Sequence, residues 1–533
     1  MDTENRTLKL LSDNVWMRWG VLLLISFAMA VNYWFYDVLS PIQEEIIKKL
    51  GLSEAEYGSI IAVYSIPNTF FLMAAIGGMI CDRLGIRLSG ATFFFFMVLG
   101  SLLTYYGTTE YFNQGGLGYD FLNSFWTAHS PAFKMMAAGF FLFGLGAETT
   151  CVVVSKIVIK WFRGREMATA LGVNVGIARV ASSLTFSVGA WLSDPVWNRP
   201  VLLGALLMIA GFLALLLYLF IDLAYDRRAG DQAQLKGEEK FRLIDALKLL
   251  LQPSYLYVAL LCVTFYSGVF PFNKYAVDLM QNKFLMSRQM AGIIVSILPL
   301  AQAAITPLFG LVFDYKGKGA TMMIIGSLCM VAGHGLLSLT NLHPAIALVF
   351  LGIAFSLVPA VLWPALAKIV DEPRLGSAYG LTFTIQNFGL MATTTLIGIV
   401  LGATNPGIAE TKRFCDQSTL EQAEPNAEKV APACGSFVEE TKNLSLPQNK
   451  ANLTQVSELR DLCSKIDQQV PTAEQIGQLK NNCAAVKYDY TYPILMLAIF
   501  GLLGVLFSIL LKAADRRTGT GLELPNKVAE KQD

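Results

Sequence analysis

The string Gly78-Met-Ile-Cys-Asp82-Arg83-Leu-Gly85-Ile-Arg87 closes the second long apolar stretch of the chain. It returns in degenerate form 232 positions later as Gly310-Leu-Val-Phe-Asp314-Tyr-Lys316-Gly317-Lys318. The proline fifteen residues before each aspartate recurs too, Pro67 and Pro299. A copy that includes both an apolar segment and the tight basic turn after it predicts a duplicated chain built of membrane-crossing helices.

Composition supports this reading. Of 533 residues, 54% are hydrophobic and only 15% charged, against about 25% charged in soluble domains. A net charge of +1 argues against a nucleic-acid surface. Crossing about 30 Å of hydrocarbon as a helix takes about 20 residues. Twelve stretches meet that requirement, at roughly 19–41, 57–81, 88–107, 134–159, 167–192, 200–221, 254–281, 290–313, 320–340, 345–367, 376–402 and 489–511.

The expected organisation is all-α. A first six-helix bundle spans 1–221, a cytoplasmic linker 222–252 and helices 7–11 of a second bundle 253–402. A polar insertion follows at 403–488, helix 12 at 489–513 and a tail at 514–533. Lys and Arg fix the orientation. The loops on the repeated-motif side hold Arg83, Arg87, Lys160, Arg163, Arg165, Arg227, Arg228, Lys236, Lys240, Arg242, Lys248, Lys316, Lys318, Lys368 and Arg374. The opposite side holds Lys48, Lys49, Arg199, Lys283 and Arg288 in its short loops. The positive-inside bias therefore places the motif loops and both termini in the cytoplasm, and the insertion outside.

Cys415, Cys434, Cys463 and Cys483 lie in the insertion, on the side where thiols oxidise, so two disulfides are expected. Four cysteines allow three connectivities, and the sequence does not choose among them. A zinc site is disfavoured, because no two of these cysteines are close in sequence and the insertion has no histidine. Asn443-Leu-Ser and Asn452-Leu-Thr fit the glycosylation pattern. Residues 108–133 form a second outer segment whose aromatics suit a membrane interface.

Charge inside a bilayer is costly, so each ionisable residue within a span is a candidate for function. Those residues are Asp37, Glu148, Lys156, Arg179, Lys274, Asp278 and His334. Glu148 and Arg179 fall at the middle of adjacent spans, an acid and a base at one level. They read either as an ion pair joining helices or as contacts for the two ends of a zwitterionic solute. Lys156 is expected to snorkel to the headgroups. Lys274 and Asp278, four apart, are expected to pair with each other, and His334 to pack. Asn68, Gln302, Gln386 and Asn387 place amides near mid-depth. Trp363, between Pro359 and Pro364, is placed to close one side of a pocket.

In the repeated string the glycine is expected to let helices approach, while Asp82 and the basic residues form a latch at the cytoplasmic headgroups. The full string with its copy resembles the loop 2–3 signature of the major facilitator superfamily. That resemblance implies two six-helix bundles around a cavity that opens alternately to either side, with Gly78, Asp82, Arg83, Gly85, Arg87, Gly310 and Asp314 at the gate. Tyr36-Asp37 with Pro41, Val63-Tyr-Ser-Ile-Pro67-Asn68, Gly144-Leu-Gly-Ala-Glu148, Lys160-Trp-Phe-Arg-Gly-Arg-Glu and Ala178-Arg179-Val-Ala-Ser resemble more narrowly a lysosomal dipeptide-carrying branch of that superfamily. This implies uniport, with Glu148 towards the substrate's ammonium and Arg179 towards its carboxylate.

The expected activity is transport of a small zwitterion such as a dipeptide. The alternatives are proton-coupled symport of organic anions or other nutrients, with Glu148 carrying the proton, and a non-transporting receptor or assembly protein. No enzyme activity, cofactor or metal is expected. The expected partners are a dipeptide-like solute and the bilayer, with the chain a monomer or joined by an accessory protein at the insertion. No acidic dileucine string occurs in the first eighteen residues, which favours the plasma membrane over the lysosomal one.

Overall fold

A computed structural model describes residues 14–162, 166–229, 248–371, 374–417, 427–442, 450–466 and 471–525. The regular elements among its described residues are all helices, and eleven of them are long and apolar enough to cross a membrane. The first half comprises α1 (Val15–Asp37), α2 (Gln43–Leu50), α3 (Glu54–Val63), α4 (Ile66–Phe70) and α5 (Met73–Gly107). After them come the short α6 (Glu110–Asn113) and α7 (Tyr119–Asn123), then α8 (Pro131–Phe162), α9 (Met167–Leu192) and α10 (Arg199–Ala229). The second half runs through α11 (Pro253–Phe284), α12 (Arg288–Lys316), α13 (Gly319–Leu339), α14 (Pro344–Ile369) and α15 (Leu375–Thr404). The insertion then supplies α16 (Ile408–Gln417), α17 (Ala427–Thr441), α18 (Lys450–Ile466) and α19 (Ala473–Ala485), and α20 (Thr491–Thr518) ends the half.

The second expected span is not one helix. A capping box between Ser53 and Glu56 starts α3. Pro67, in the first turn of α4, lacks the N–H that would continue the ladder, and Leu72 takes a left-handed conformation (φ 53°) before α5 begins. Gly85 then breaks α5 at φ 80°, ψ 163°, a region open in practice only to glycine, and this break makes the turn between the second and third spans. The expected linker also starts later than its polarity suggested. Residues 222–229 extend α10, because Asp222 and Asp226 are held by Arg87 and Lys160 and so stay helical. Residues 230–247, with Lys236, Lys240 and Arg242, lie outside the described residues, as do Arg163, Arg165 and Asn443 and the side chains of Arg228 and Asn452.

The tail expected at 514–533 continues α20 to Thr518 and then folds back under the second motif loop. There Lys318 N–H donates to the Glu523 carbonyl at 2.9 Å, and the Gly319 N–H donates to the Leu522 carbonyl at 3.1 Å.

In the insertion, Cys415 on α16 is bonded to Cys483 on α19, and Cys434 on α17 to Cys463 on α18. Phe414 stacks on Phe437 at 4.6 Å over a small core of Val430, Val456, Leu459 and Leu479.

The two halves meet tightly at the end that bears the insertion and separate towards the end that bears the motifs. Near the insertion, a Cβ added to Gly292 would lie 2.3 Å from the Phe186 carbonyl oxygen, and one on Gly398 would lie 2.4 Å from that of Glu54. Only glycine permits such approaches. Towards the motif end, Gly172, Gly176 and Gly376 have open space where a Cβ would stand, and Val175, Leu308 and Phe388 are exposed. This is a two-bundle body closed at one end.

Candidate functional site

The middle of the molecule carries two sets of charged side chains, and the structure treats them differently. Asp37 ends α1, and its Oδ1 accepts from Lys274 Nζ on α11 at 2.6 Å, a bond across the two halves. Both residues are buried. Ser182 on α9 donates its hydroxyl to Asp37 Oδ2, and Lys274 also donates to the Tyr36 carbonyl at 2.5 Å. The ammonium stands 3.4 Å from the centroid of the Tyr36 ring, close enough for cation–π attraction. The expected pairing of Lys274 with Asp278 is therefore overturned. Asp278 instead accepts from the Tyr490 hydroxyl, because their side chains turn towards different neighbours on a tightly packed helix.

Glu148 and Arg179 each lie within two residues of the middle of their helices, α8 and α9. Glu148 Oε1 accepts from the Tyr64 hydroxyl at 3.3 Å. The Arg179 guanidinium sits 5.1 Å from the Tyr33 ring and 5.5 Å from the Phe270 ring, the latter on the opposite half. Among the described residues these two form no ion pair, with each other or with any third group. The reading as an ion pair joining helices is thereby corrected. Aromatic rings soften the guanidinium's surroundings without neutralising it.

A run of aromatic rings connects these two sets of charged residues. Tyr64 meets Tyr36 at 4.8 Å, Tyr36 meets Phe270 at 6.3 Å, and Phe270 stacks on Tyr266 at 5.5 Å. Trp363 Nε1 donates to the Tyr266 hydroxyl at 2.8 Å, and its ring stacks on Phe383 and Tyr379. Trp363 thus joins this run of rings. Tyr33, Tyr64, Tyr266 and Phe270 were not singled out by the sequence. Tyr64 had a signal, lying one turn before Pro67 in a span rich in polar residues. Ser182 had one as well, three residues beyond Arg179 and so near the same helix face.

The amides are less united. Asn68 is fully buried with neither side-chain atom hydrogen-bonded. Gln386 accepts weakly from the Cys262 thiol, and Asn387 donates to the Phe383 carbonyl of its own helix at 3.0 Å. Gln302 donates to the Phe355 carbonyl at 2.8 Å. His334 is buried with Nε2 against the Gly268 carbonyl at 3.0 Å, a packing position.

At the motif end, Arg87 Nε meets Asp222 at 2.8 Å, and Lys160 meets Asp222 at 2.6 Å and Asp226 at 2.7 Å. This cluster ties α5, α8 and α10 together within the first half. Arg83 is exposed, and the side chain of Asp82 lies outside the described residues. Gly78 and Gly310 do not bring helices together as expected, since a Cβ would meet one atom at 4.0 Å in the first case and nothing in the second. Gly77 makes the close approach, with Thr149 Oγ1 at 2.2 Å from its added Cβ. Asp314 is half-buried near Lys368.

Comparison with known proteins agrees with this architecture. The sequence pattern of the Major Facilitator Superfamily matches residues 25–394. Over 392 residues the chain is 31% identical to the lysosomal dipeptide transporter MFSD1 of Bos taurus, covering 72% of this chain and 79% of that one, and the Homo sapiens protein of that name gives the same figures. A hexuronate transporter of Bacillus subtilis is 23% identical over 405 residues, covering 72% and 88%. A crystal structure of a bacterial homolog to the human lysosomal transporter Spinster, inward-facing and unoccupied, superposes with a TM-score of 0.58 at 14% identity over 94% of this chain and 98% of that one. The nucleoside transporter NupG gives 0.58 at 12% identity over 93% and 99%. The duplicated motif, the two-bundle body and these relatives lead to one assignment: the chain is a multi-pass membrane protein that belongs to the major facilitator superfamily.

Proposed function

We propose that this protein carries a small zwitterion, a dipeptide, across its membrane by alternating access, with Glu148 receiving the ammonium end and Arg179 the carboxylate. One observation carries the reading: an acid and a base at mid-depth, on adjacent helices, are linked by a run of aromatic rings and do not neutralise each other. Unpaired charge at that depth is costly, and a solute with both charges offsets the cost at both groups at once. The names of the curated relatives support the solute class. Asn68, Gln386, Asn387 and Trp363 are secondary contacts in this reading, available to the peptide group and side chains.

Twelve crossings follow if the broken segment from α3 to the start of α5 counts as the second. The Lys and Arg bias then supports cytoplasmic termini and an extracytoplasmic, disulfide-bonded insertion. In this reading the conformation with its motif end apart is the one open to the cytoplasm. The latch residues, including Asp82, Arg83, Arg87, Gly310 and Asp314, belong to the face that closes in the opposite state. Residence in the plasma or the lysosomal membrane is decided by fractionation of cells expressing a tagged chain.

Reconstituted protein should take up a labelled dipeptide, and Glu148→Gln and Arg179→Ala should each reduce uptake about 10- to 100-fold, the worth of a charge-assisted contact. Full transport by both variants would refute the assignment. The name of the hexuronate transporter among the relatives supports the anionic solute of a second reading, symport of an organic anion with protons. Substrate-driven change of pH inside liposomes separates the two, since uniport of a neutral zwitterion moves no proton, whereas symport of an anion carries one in even when it moves no net charge.

A further inference from the structure

The superfamily match ends at residue 394, before the insertion begins. Yet α16, the first helix of that insertion, reaches back between the two halves. Lys412 lies on it, almost fully buried, and its Nζ donates to Glu44 Oε1 of the first half at 2.9 Å and to Asn282 Oδ1 of the second at 2.7 Å. The same asparagine oxygen accepts from the Tyr488 N–H at 3.0 Å, and the ammonium stands 4.9 Å from the Tyr488 ring. One helical turn on, Asp416 accepts from Lys49 of the first half at 2.6 Å. The disulfide from Cys415 to Cys483 fastens this helix to the segment leading into α20.

Other bonds join the two halves between mid-depth and this end. Arg288 meets Glu45 and Ser193, Gln43 meets Tyr490, and Tyr57 donates to the Lys274 carbonyl. Lys412 differs from these because it comes from neither six-helix bundle.

We infer that α16 is an added gate element and that Lys412 is a gating residue, whose bond to Glu44 holds the outer end shut and must break each time that end opens. The insertion is covalently part of the second half, joined between α15 and α20, so when the halves separate at this end α16 leaves with the second half and Glu44 with the first. A buried ammonium that loses its carboxylate must be rehydrated, which biases the empty carrier towards the closed outer end. Lys48, which also meets Glu44 at 2.9 Å, sits on the same helix as its partner and moves with it. It therefore contributes nothing to the gate. The inference rests on alternating access and not on the identity of the solute.

The test measures the distance across the outer end in nanodiscs by pulsed electron resonance. Spin labels go on the exposed residues Val196 and Leu342, in a background where Cys81, Cys151, Cys262 and Cys329 are serine. Lys412→Gln should raise the long-distance, outward-open population relative to the closed one about tenfold, the scale of one charge-assisted hydrogen bond. Glu44→Gln, which leaves the insertion intact, should give the same shift, and the double variant should shift no further than either single one. Lys48→Gln should leave the distribution as it is. Wild-type distances in both Lys412→Gln and Glu44→Gln would overturn the proposal. So would independent, multiplying effects, which would mean that Lys412 acts by holding the insertion together. Because the readout needs no substrate, failure here is distinct from failure of the dipeptide reading.

Discussion

Two pairs of opposite charges share the middle of this carrier, and only one of them is closed. Asp37 and Lys274 are bonded at 2.6 Å, buried and supported by Ser182. Glu148 and Arg179 touch tyrosines and phenylalanine but no opposite charge among the described residues. The closed pair crosses between the halves and lies towards the sealed end, whereas the open pair belongs entirely to the first half and sits at mid-depth. In the proposed function, a bond across a moving boundary acts as a latch, and an acid and a base without an ionic partner receive the solute. Location relative to the boundary, more than residue type, assigns these roles.

The sharpest way to break the comparison is to remove one member of the closed pair. Lys274→Ala leaves Asp37 buried without its cation, and should cost about 3–5 kcal/mol of stability. A large fall in apparent Tm and in the yield of folded protein would report it. Replacing both partners, Asp37→Asn with Lys274→Met, should recover most of that loss, because no charge is then left buried. Arg179→Ala should lower Tm little, since its guanidinium has no carboxylate to abandon. Equal destabilisation by Lys274→Ala and Arg179→Ala would erase the distinction.

Glu148 and Arg179 were legible in the sequence because charge in an apolar span is rare and their depth follows from counting residues. The Asp37–Lys274 bond was not, since its partners lie 237 positions apart and meet only when the two halves are docked. Asp278, four residues from Lys274, offered a nearer partner by helical spacing, and the spacing misled because burial among Tyr490 and Gln43 drew it away. The break in the second span was half visible. Pro67 announced it, but the left-handed Leu72 belongs to a residue type with no such preference. The repeated motif fixed the duplication and its turn at Gly85, while the close helix contact fell one residue earlier, at Gly77.

A smaller effect should appear on the open pair when solute is added. A ligand that binds only the native state stabilises by about 2.7 kcal/mol at a hundredfold excess over Kd. A dipeptide in that excess should raise the apparent Tm of wild-type protein, and the shift should vanish in Glu148→Gln and in Arg179→Ala. Esterified or N-acetylated dipeptides, each lacking one charge, should give a reduced shift. A full shift with both single-charge analogues would mean that the two side chains do not read the two ends.

The smallest expected effect is at Ser182, which touches the closed pair while lying one helical turn from the open one. Ser182→Ala removes one hydrogen bond to the Asp37 carboxylate but leaves Lys274 in place, so the stability loss should be about 1–2 kcal/mol. Because Ser182 contacts neither Glu148 nor Arg179, the dipeptide Kd measured by titration of tryptophan fluorescence should stay within about twofold of wild type, well below the tenfold that 1.4 kcal/mol would produce. The latch and the receptor would thus separate on one helix, with Ser182 altering stability and Arg179 altering affinity. If Ser182→Ala weakens dipeptide binding as strongly as Arg179→Ala does, then Asp37 belongs to the substrate site in its own right, and the solute's ammonium competes with Lys274 for it.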